Sequence, residues 1–150
     1  MKKLKIFLDT SVYGAFFDKR DPNRQKLTQD FWNSIGDYDL YYSDITTEEI
    51  SAVLDEKLRK NMKKLLEKGN HIEITTEVSE LAKVYVKEDL IPERYENDAL
   101  LIALTSVYSL DILVSWNFKH LVKRKTRIGV NLINLKNGYK SIEILAPPEL

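Results

Sequence analysis

The sequence predicts an α/β domain on a mostly parallel sheet, and three observations carry that prediction. Short apolar runs alternate with longer stretches of helical spacing along the whole chain. The first and fourth runs, Ile6-Phe7-Leu8 and Ile112-Leu113-Val114, are continuously apolar, as strands covered on both faces must be. The chain has 150 residues, 43% hydrophobic and 31% charged, which suits one domain over residues 1–150 around one core.

In order, residues 4–8 read as the first buried strand. Residues 18–24 form a polar loop containing Pro22, and a helix follows with Leu27, Phe31 and Ile35 inward, closed by Gly36. Residues 38–43 are the second strand. Residues 44–69 read as one long helix with a stripe of Ile50, Val53, Leu54, Leu58, Met62 and Leu65, ended by Gly69. Residues 71–76 are a third strand, and 77–88 a third helix burying Val78, Leu81, Ala82 and Tyr85. Pro92 suits a first helical turn, and residues 93–109 continue as helix. The fourth strand is 111–116. Residues 130–135 and 141–145 are weaker strands, with a turn at Asn137-Gly138. No repeat, low-complexity stretch or interdomain linker interrupts the pattern.

The totals exclude some chemistry. With no cysteine there is no disulfide framework, thiolate zinc site or cysteine nucleophile. The 23 basic and 23 acidic residues cancel, so bulk charge does not point to nucleic acid, though a local patch still can. No segment has the length of a signal peptide core or a membrane span, so a cytoplasmic protein without membrane contact is expected.

In parallel sheets ligands bind beyond the carboxyl ends of the strands. Asp9 ends the first strand. Ser43 and the segment to Glu48 and Glu49 follow the second, and Ser115 and Asn117 follow the fourth. Asp98 opens a helix that is apolar for six residues after it, an expensive place for a carboxylate unless a cation compensates it. Such a set offers oxygen donors alone, which suits Mg²⁺ or Mn²⁺ acting on phosphates. Each residue also has a plainer role. Asp9 could cap the next segment, Glu49 could close a capping box with Thr46, Asp98 could answer a helix dipole, and Asn117 could make a turn.

Four stretches, IFLDTSV, YYSDITTEEI, ENDALLIAL and DILVSWNFKHL, spread over residues 6–121, resemble the PIN-domain ribonucleases, which include VapC-like toxins of toxin–antitoxin pairs. The resemblance implies a three-layer sandwich with a central, mostly parallel sheet flanked by helices. It implies a Mg²⁺- or Mn²⁺-dependent ribonuclease, commonly a homodimer, with RNA as substrate and an antitoxin protein as partner. By position it assigns Asp9, Glu49 and Asp98 as metal ligands and Asn117 as the fourth catalytic member, where many relatives carry aspartate. Thr10, Ser11 and Ser115 become supporting residues. Two basic stretches, 57–68 and 119–127, could meet phosphates. The second lies nearer the site, through Lys119, Lys123, Arg124, Lys125 and Arg127.

Rival chemistries fit less well. A haloacid-dehalogenase-like phosphatase needs an aspartate where Ser11 stands. A histidine-pair ribonuclease would need His71 and His120 together, and His71 is expected at the opposite edge of the sheet. A serine hydrolase lacks its G-x-S-x-G elbow. The remaining rival is a catalytically weak PIN-like module that binds RNA or protein, kept open by Asn117.

Overall fold

The computed structural model describes residues 2–150. Its sheet has five strands, all parallel: β1 (Leu4–Leu8), β2 (Tyr38–Tyr42), β3 (Asn70–His71), β4 (Ile112–Val114) and β5 (Glu143–Leu145), in the order β3-β2-β1-β4-β5. Helices are α1 (Thr10–Ala15), α2 (Pro22–Asn33), α3 (Asp44–Ser51), α4 (Glu56–Leu66), α5 (Thr76–Lys87), α6 (Glu96–Val107) and α7 (Arg124–Lys136).

Two apolar layers sandwich the sheet, because successive side chains of a strand point to opposite faces. Ile6, Leu8, Ile112 and Val114 face Val12, Tyr13, Phe31, Trp32 and Met62. Phe7 and Leu113 face Val78, Leu81, Tyr85, Ile102 and Val130. Ile6, Phe7 and Leu8 are all fully buried, each such side chain contributing about 1.5–3 kcal/mol. That explains the unbroken apolar run at the start of the chain, and it is the three-layer arrangement expected from sequence.

The strand order makes the sheet reverse direction at one point. From β1 the chain builds outward through β2 and β3, then returns to place β4 and β5 on the other side of β1. The crevice beyond β1 and β4 is therefore the topological switch point, where open parallel sheets take their ligands. Asp9 leaves β1 there, with its backbone N–H still bonded to the Val114 carbonyl (2.9 Å). Ser115 to Asn117 leave β4 at the same edge.

Several expected elements differ. The long helix of 44–69 is two helices. Asp55 turns extended and its carboxylate accepts from Leu58 N (3.1 Å), capping α4 afresh, while Arg59 donates to the Val53 carbonyl (2.7 Å). Leu54, expected inward, is 97% exposed in the linker. α2 starts at Pro22, earlier than expected, because Asp21 caps it through Arg24 N (3.1 Å). Residues 130–135 are the heart of α7 and not a strand. Their apolar positions fit either period, and the helix buries Val130, Ile133 and Asn134 on one side. The third strand shrinks to Asn70–His71, because Thr75 is taken as the cap of α5 (Val78 N to Thr75 Oγ1, 3.2 Å). α1, directly after Asp9, was not foreseen. His71 ends β3 at the same edge as Ser43, not the opposite one, with Nε2 2.7 Å from Asp44 Oδ1.

Candidate active site

Asp9, Thr10, Ser11, Gly14, Arg24, Glu49, Met62, Asp98, Trp116 and Asn117 line one cleft of about 450 Å³ at the switch point. Four separate elements supply its acids and amide: the end of β1, the last turn of α3, the first turn of α6 and the loop after β4.

Asp9 stands at the cap position of α1 but its side chain caps nothing. Its Oδ2 accepts instead from Ser11 Oγ (2.7 Å) and Ser115 Oγ (2.8 Å). Each hydroxyl in turn accepts a backbone N–H of the β4 loop: Trp116 N reaches Ser11 Oγ (3.1 Å) and Asn117 N reaches Ser115 Oγ (2.9 Å). A serine has one proton to give, so these two relays direct both protons at Asp9 Oδ2.

Glu49 belongs to no capping box. Ser43 caps α3 through Ile45 N (3.3 Å), and Glu49 Oε1 accepts from Thr10 Oγ1 (3.0 Å) across the cleft. Burial raises the Glu49 pKa above the usual carboxylate value, and repulsion from Asp9 adds to the rise. Asp98 lies in the first turn of α6. Burial first, then repulsion from Asp9 and Glu49, pushes its pKa up to about 6. The three carboxylates thus repel one another across a partly desolvated hollow.

Asn117 is oriented by its own turn. Its Oδ1 accepts from Lys119 N (3.1 Å) and His120 N (3.0 Å), which leaves the amide NH₂ towards Asp98 Oδ2 at a long 3.5 Å. The group it offers to the cleft is a donor, so Asn117 braces Asp98 and has no free oxygen for a cation. The turn-forming role and the site role coincide here.

Among the described residues, no three Asp, Glu or His side chains are gathered tightly enough to enclose a metal ion as they stand. The acids instead ring an open hollow with oxygen donors, which fits Mg²⁺ or Mn²⁺, ions that keep several of their waters. Removing one acid should show the repulsion directly. Folding takes up a proton at Asp98 between its ordinary 3.8 and about 6, so metal-free stability should fall as pH rises through that window. Asp98→Asn should flatten this slope, to which Glu49 adds a part of the same sign, and stabilise the metal-free protein above pH 6 by roughly 1 kcal/mol, allowing for solvent screening of a partly exposed group. Thermal melts of both proteins between pH 4 and 8 check it; parallel curves would rule it out.

Lys119, Lys123, Arg124 and Lys125 are exposed along the loop after β4 and the start of α7. Arg127 is instead turned to Glu149 (3.7 Å). Gly14, Arg24, Met62 and Trp116 line the cleft without having been assigned to it from sequence, and two of them carry polar groups. Trp116 ties the β4 loop to α2 by donating from Nε1 to Thr28 Oγ1 (2.9 Å). Arg24 reaches the cleft from the first turn of α2. A cation there opposes the helix dipole, and that mismatch was the available signal.

Comparison with known proteins agrees with this frame. A search of curated proteins by sequence finds no match. Among solved structures, VapBC2 from Rickettsia felis, crystallised with a DNA fragment from its promoter, matches with a TM-score of 0.61 at 14% identity, covering 95% of this chain and 98% of the other. DNA-bound VapBC from Salmonella typhimurium matches with a TM-score of 0.61 at 14% identity, covering 96% and 98%. At that identity the likeness speaks for the fold. The PIN domain family model matches residues 6–117, from the first buried residue of β1 to the amide that braces Asp98, and the chain therefore belongs to the PIN domain family.

Proposed function

We propose that the protein is a Mg²⁺- or Mn²⁺-dependent endoribonuclease whose ion is held by Asp9, Glu49 and Asp98. One observation carries this: three carboxylates from three elements face one partly desolvated cleft at the switch point, where burial first and their mutual repulsion second lift Asp98 to about 6. A bound divalent ion would supply charge neutralisation at a phosphodiester oxygen. The chain's own residues do the rest. Ser11 and Ser115 fix Asp9, Thr10 fixes Glu49, and the Asn117 amide braces Asp98. Lys119, Lys123, Arg124 and Lys125 provide positive charge beside the site for the RNA backbone.

An antitoxin partner, a homodimer and a cytoplasmic location belong to the same reading. Support for the partner comes from the VapBC assemblies that share the fold. The exposed apolar stripe of Ile128, Leu132 and Leu135 on α7 suits a protein interface. Among the described residues no helix is long and apolar enough to cross a membrane.

A second reading, a PIN module that binds RNA or protein but cleaves weakly, is favoured by Asn117, which presents N–H where an acid would present oxygen. Purified protein incubated with an RNA pool separates the two. Cleavage that needs Mn²⁺ and stops with a chelator is the expected result. Asn117→Asp should keep the turn through one oxygen, turn the other to the cleft, and tighten Mn²⁺ binding about tenfold. Cleavage by that variant with none by the parent would establish the weak-module reading.

A further inference from the structure

Arg24 lines two clefts at once. The first holds the acids. The second, about 500 Å³, is bounded by Ser11, Gly14 and Met62, which it shares with the first, and by Phe17, Asp18, Arg20, Val53 and Leu58. One wall of the second cleft is apolar and the opposite rim is cationic.

The arginine is held away from the acids beside it. Its Nη2 donates to Asp18 Oδ2 (3.0 Å), while Arg20 fills the same carboxylate through its backbone N (3.0 Å), Nε (3.0 Å) and Nη2 (3.2 Å). Two guanidinium groups share this one carboxylate, while a second acid, Asp21, flanks Arg24 without a hydrogen bond to Nε. Those Arg20 hydrogen bonds, with the nearby Arg24 charge, draw the Asp18 pKa down to about 2, so the tether stays ionised. Arg24 Nε is buried without a hydrogen-bond partner, and Asp21 Oδ2 at 3.9 Å is too far to satisfy it. The helical turn that carries Arg24 is fixed to the catalytic loop, since Trp116 Nε1 donates to Thr28 Oγ1 (2.9 Å) and Thr28 Oγ1 donates to the Arg24 carbonyl (2.7 Å).

An arginine beside three carboxylates would ordinarily collapse onto them and compete with any cation. Asp18 prevents that, leaving a planar fork with spare N–H donors at the junction of an acidic cleft and an apolar one. We propose that the second cleft is a nucleotide subsite for single-stranded RNA, in which Arg24 grips the phosphate flanking the one held at the acids and the apolar wall of Phe17, Val53, Leu58 and Met62 receives the adjoining base. This rests on the ribonuclease reading for the identity of the ligand. Asp18 is the positioning residue.

The test is fluorescence anisotropy with the metal-free full chain and a short single-stranded oligoribonucleotide. Arg24→Ala should weaken binding about tenfold and make the log affinity against log salt slope shallower by about 0.7. Arg24→Lys, which keeps the charge but loses the fork, should recover only part of the affinity. Lys26→Ala, removing an exposed charge from the same helix, should stay within about twofold of wild type. Asp18→Asn removes a negative charge, which alone would tighten RNA binding. It should instead loosen binding, because the freed Arg24 turns to the acids. The subsite is overturned if Arg24→Ala binds no more weakly than Lys26→Ala, and the tether if Asp18→Asn binds more tightly than wild type. The ribonuclease reading fails separately, by Arg24-dependent RNA binding in a wild type that cleaves nothing with Mn²⁺. Wild type that binds no RNA sinks both.

Discussion

Asp9→Asn should lower kcat/KM for metal-dependent RNA cleavage by about a thousandfold, equivalent to roughly 4 kcal/mol of lost transition-state stabilisation. The argument lies in the two serine relays. Ser11 and Ser115 both send their protons to Asp9 Oδ2, because each already accepts a backbone N–H. An asparagine must therefore keep its carbonyl oxygen on the serines and aim its NH₂ into the cleft, where a cation needs an acceptor. Flipping the amide would face N–H against O–H at both serines and break the relays. Either way the substitution does more than remove a charge. After burial, the Asp9 charge adds to the raised pKa of both Glu49 and Asp98, so its loss should ease their repulsion. The variant should then melt slightly higher than wild type without metal, while calorimetric titration shows Mn²⁺ binding lost. Activity within tenfold of wild type would remove Asp9 from the centre of the site.

Asp9, Asn117 and Asp98 were legible from sequence for two different reasons. Asp9 and Asn117 follow apolar runs, and a parallel sheet puts the ends of such runs at one edge. Asp98 stood out by contrast, a carboxylate opening an apolar helix. The inward set of α5, Val78, Leu81, Ala82 and Tyr85, follows from spacing alone and is buried throughout. What could not be read depends on partners far away in the chain. The direction of the Asn117 amide is set by two backbone N–H groups, and these carry no signature in residue type. The break at Asp55 replaced a regular apolar stripe because a capping carboxylate competes locally with helix continuation. Arg24 reaches the cleft only because α2 packs beside α1, a tertiary fact.

Asn134→Ala should cost about 3–5 kcal/mol of folding stability, more than any substitution at the cleft. For a chain of this size that is a drop in Tm of roughly 10 °C. The apolar-rich segment VNLINL could pass for a short strand, yet in α7 it turns Asn134 fully inward and leaves Leu132 and Leu135 exposed. Burying an amide in place of a leucine makes sense only through its partners. Its oxygen accepts from the Tyr85 hydroxyl, and its NH₂ donates to Ser106 Oγ (2.9 Å) and the Lys140 carbonyl (3.3 Å). Ser106 Oγ donates onward to the Ile102 carbonyl (2.9 Å). The amide therefore joins α5, α6, α7 and the turn leading to β5, and its partners Tyr85 and Ser106 are fully buried. Alanine leaves the Tyr85 hydroxyl with Ser106 Oγ alone (3.2 Å), removes the donor to the Lys140 carbonyl and opens a cavity besides. Tyr85→Phe removes one member and should cost less, about 1–2 kcal/mol, and the double variant should fall short of the sum, because the two share a bond. Chemical denaturation measures all three. A loss under 1 kcal/mol for Asn134→Ala would mean that the helices on this face hold together by apolar packing alone. The contrast with the cleft follows from how each set of polar groups is partnered: the acids are left in mutual repulsion and should gain stability when one is neutralised, whereas every polar atom around Asn134 is paired and should lose it.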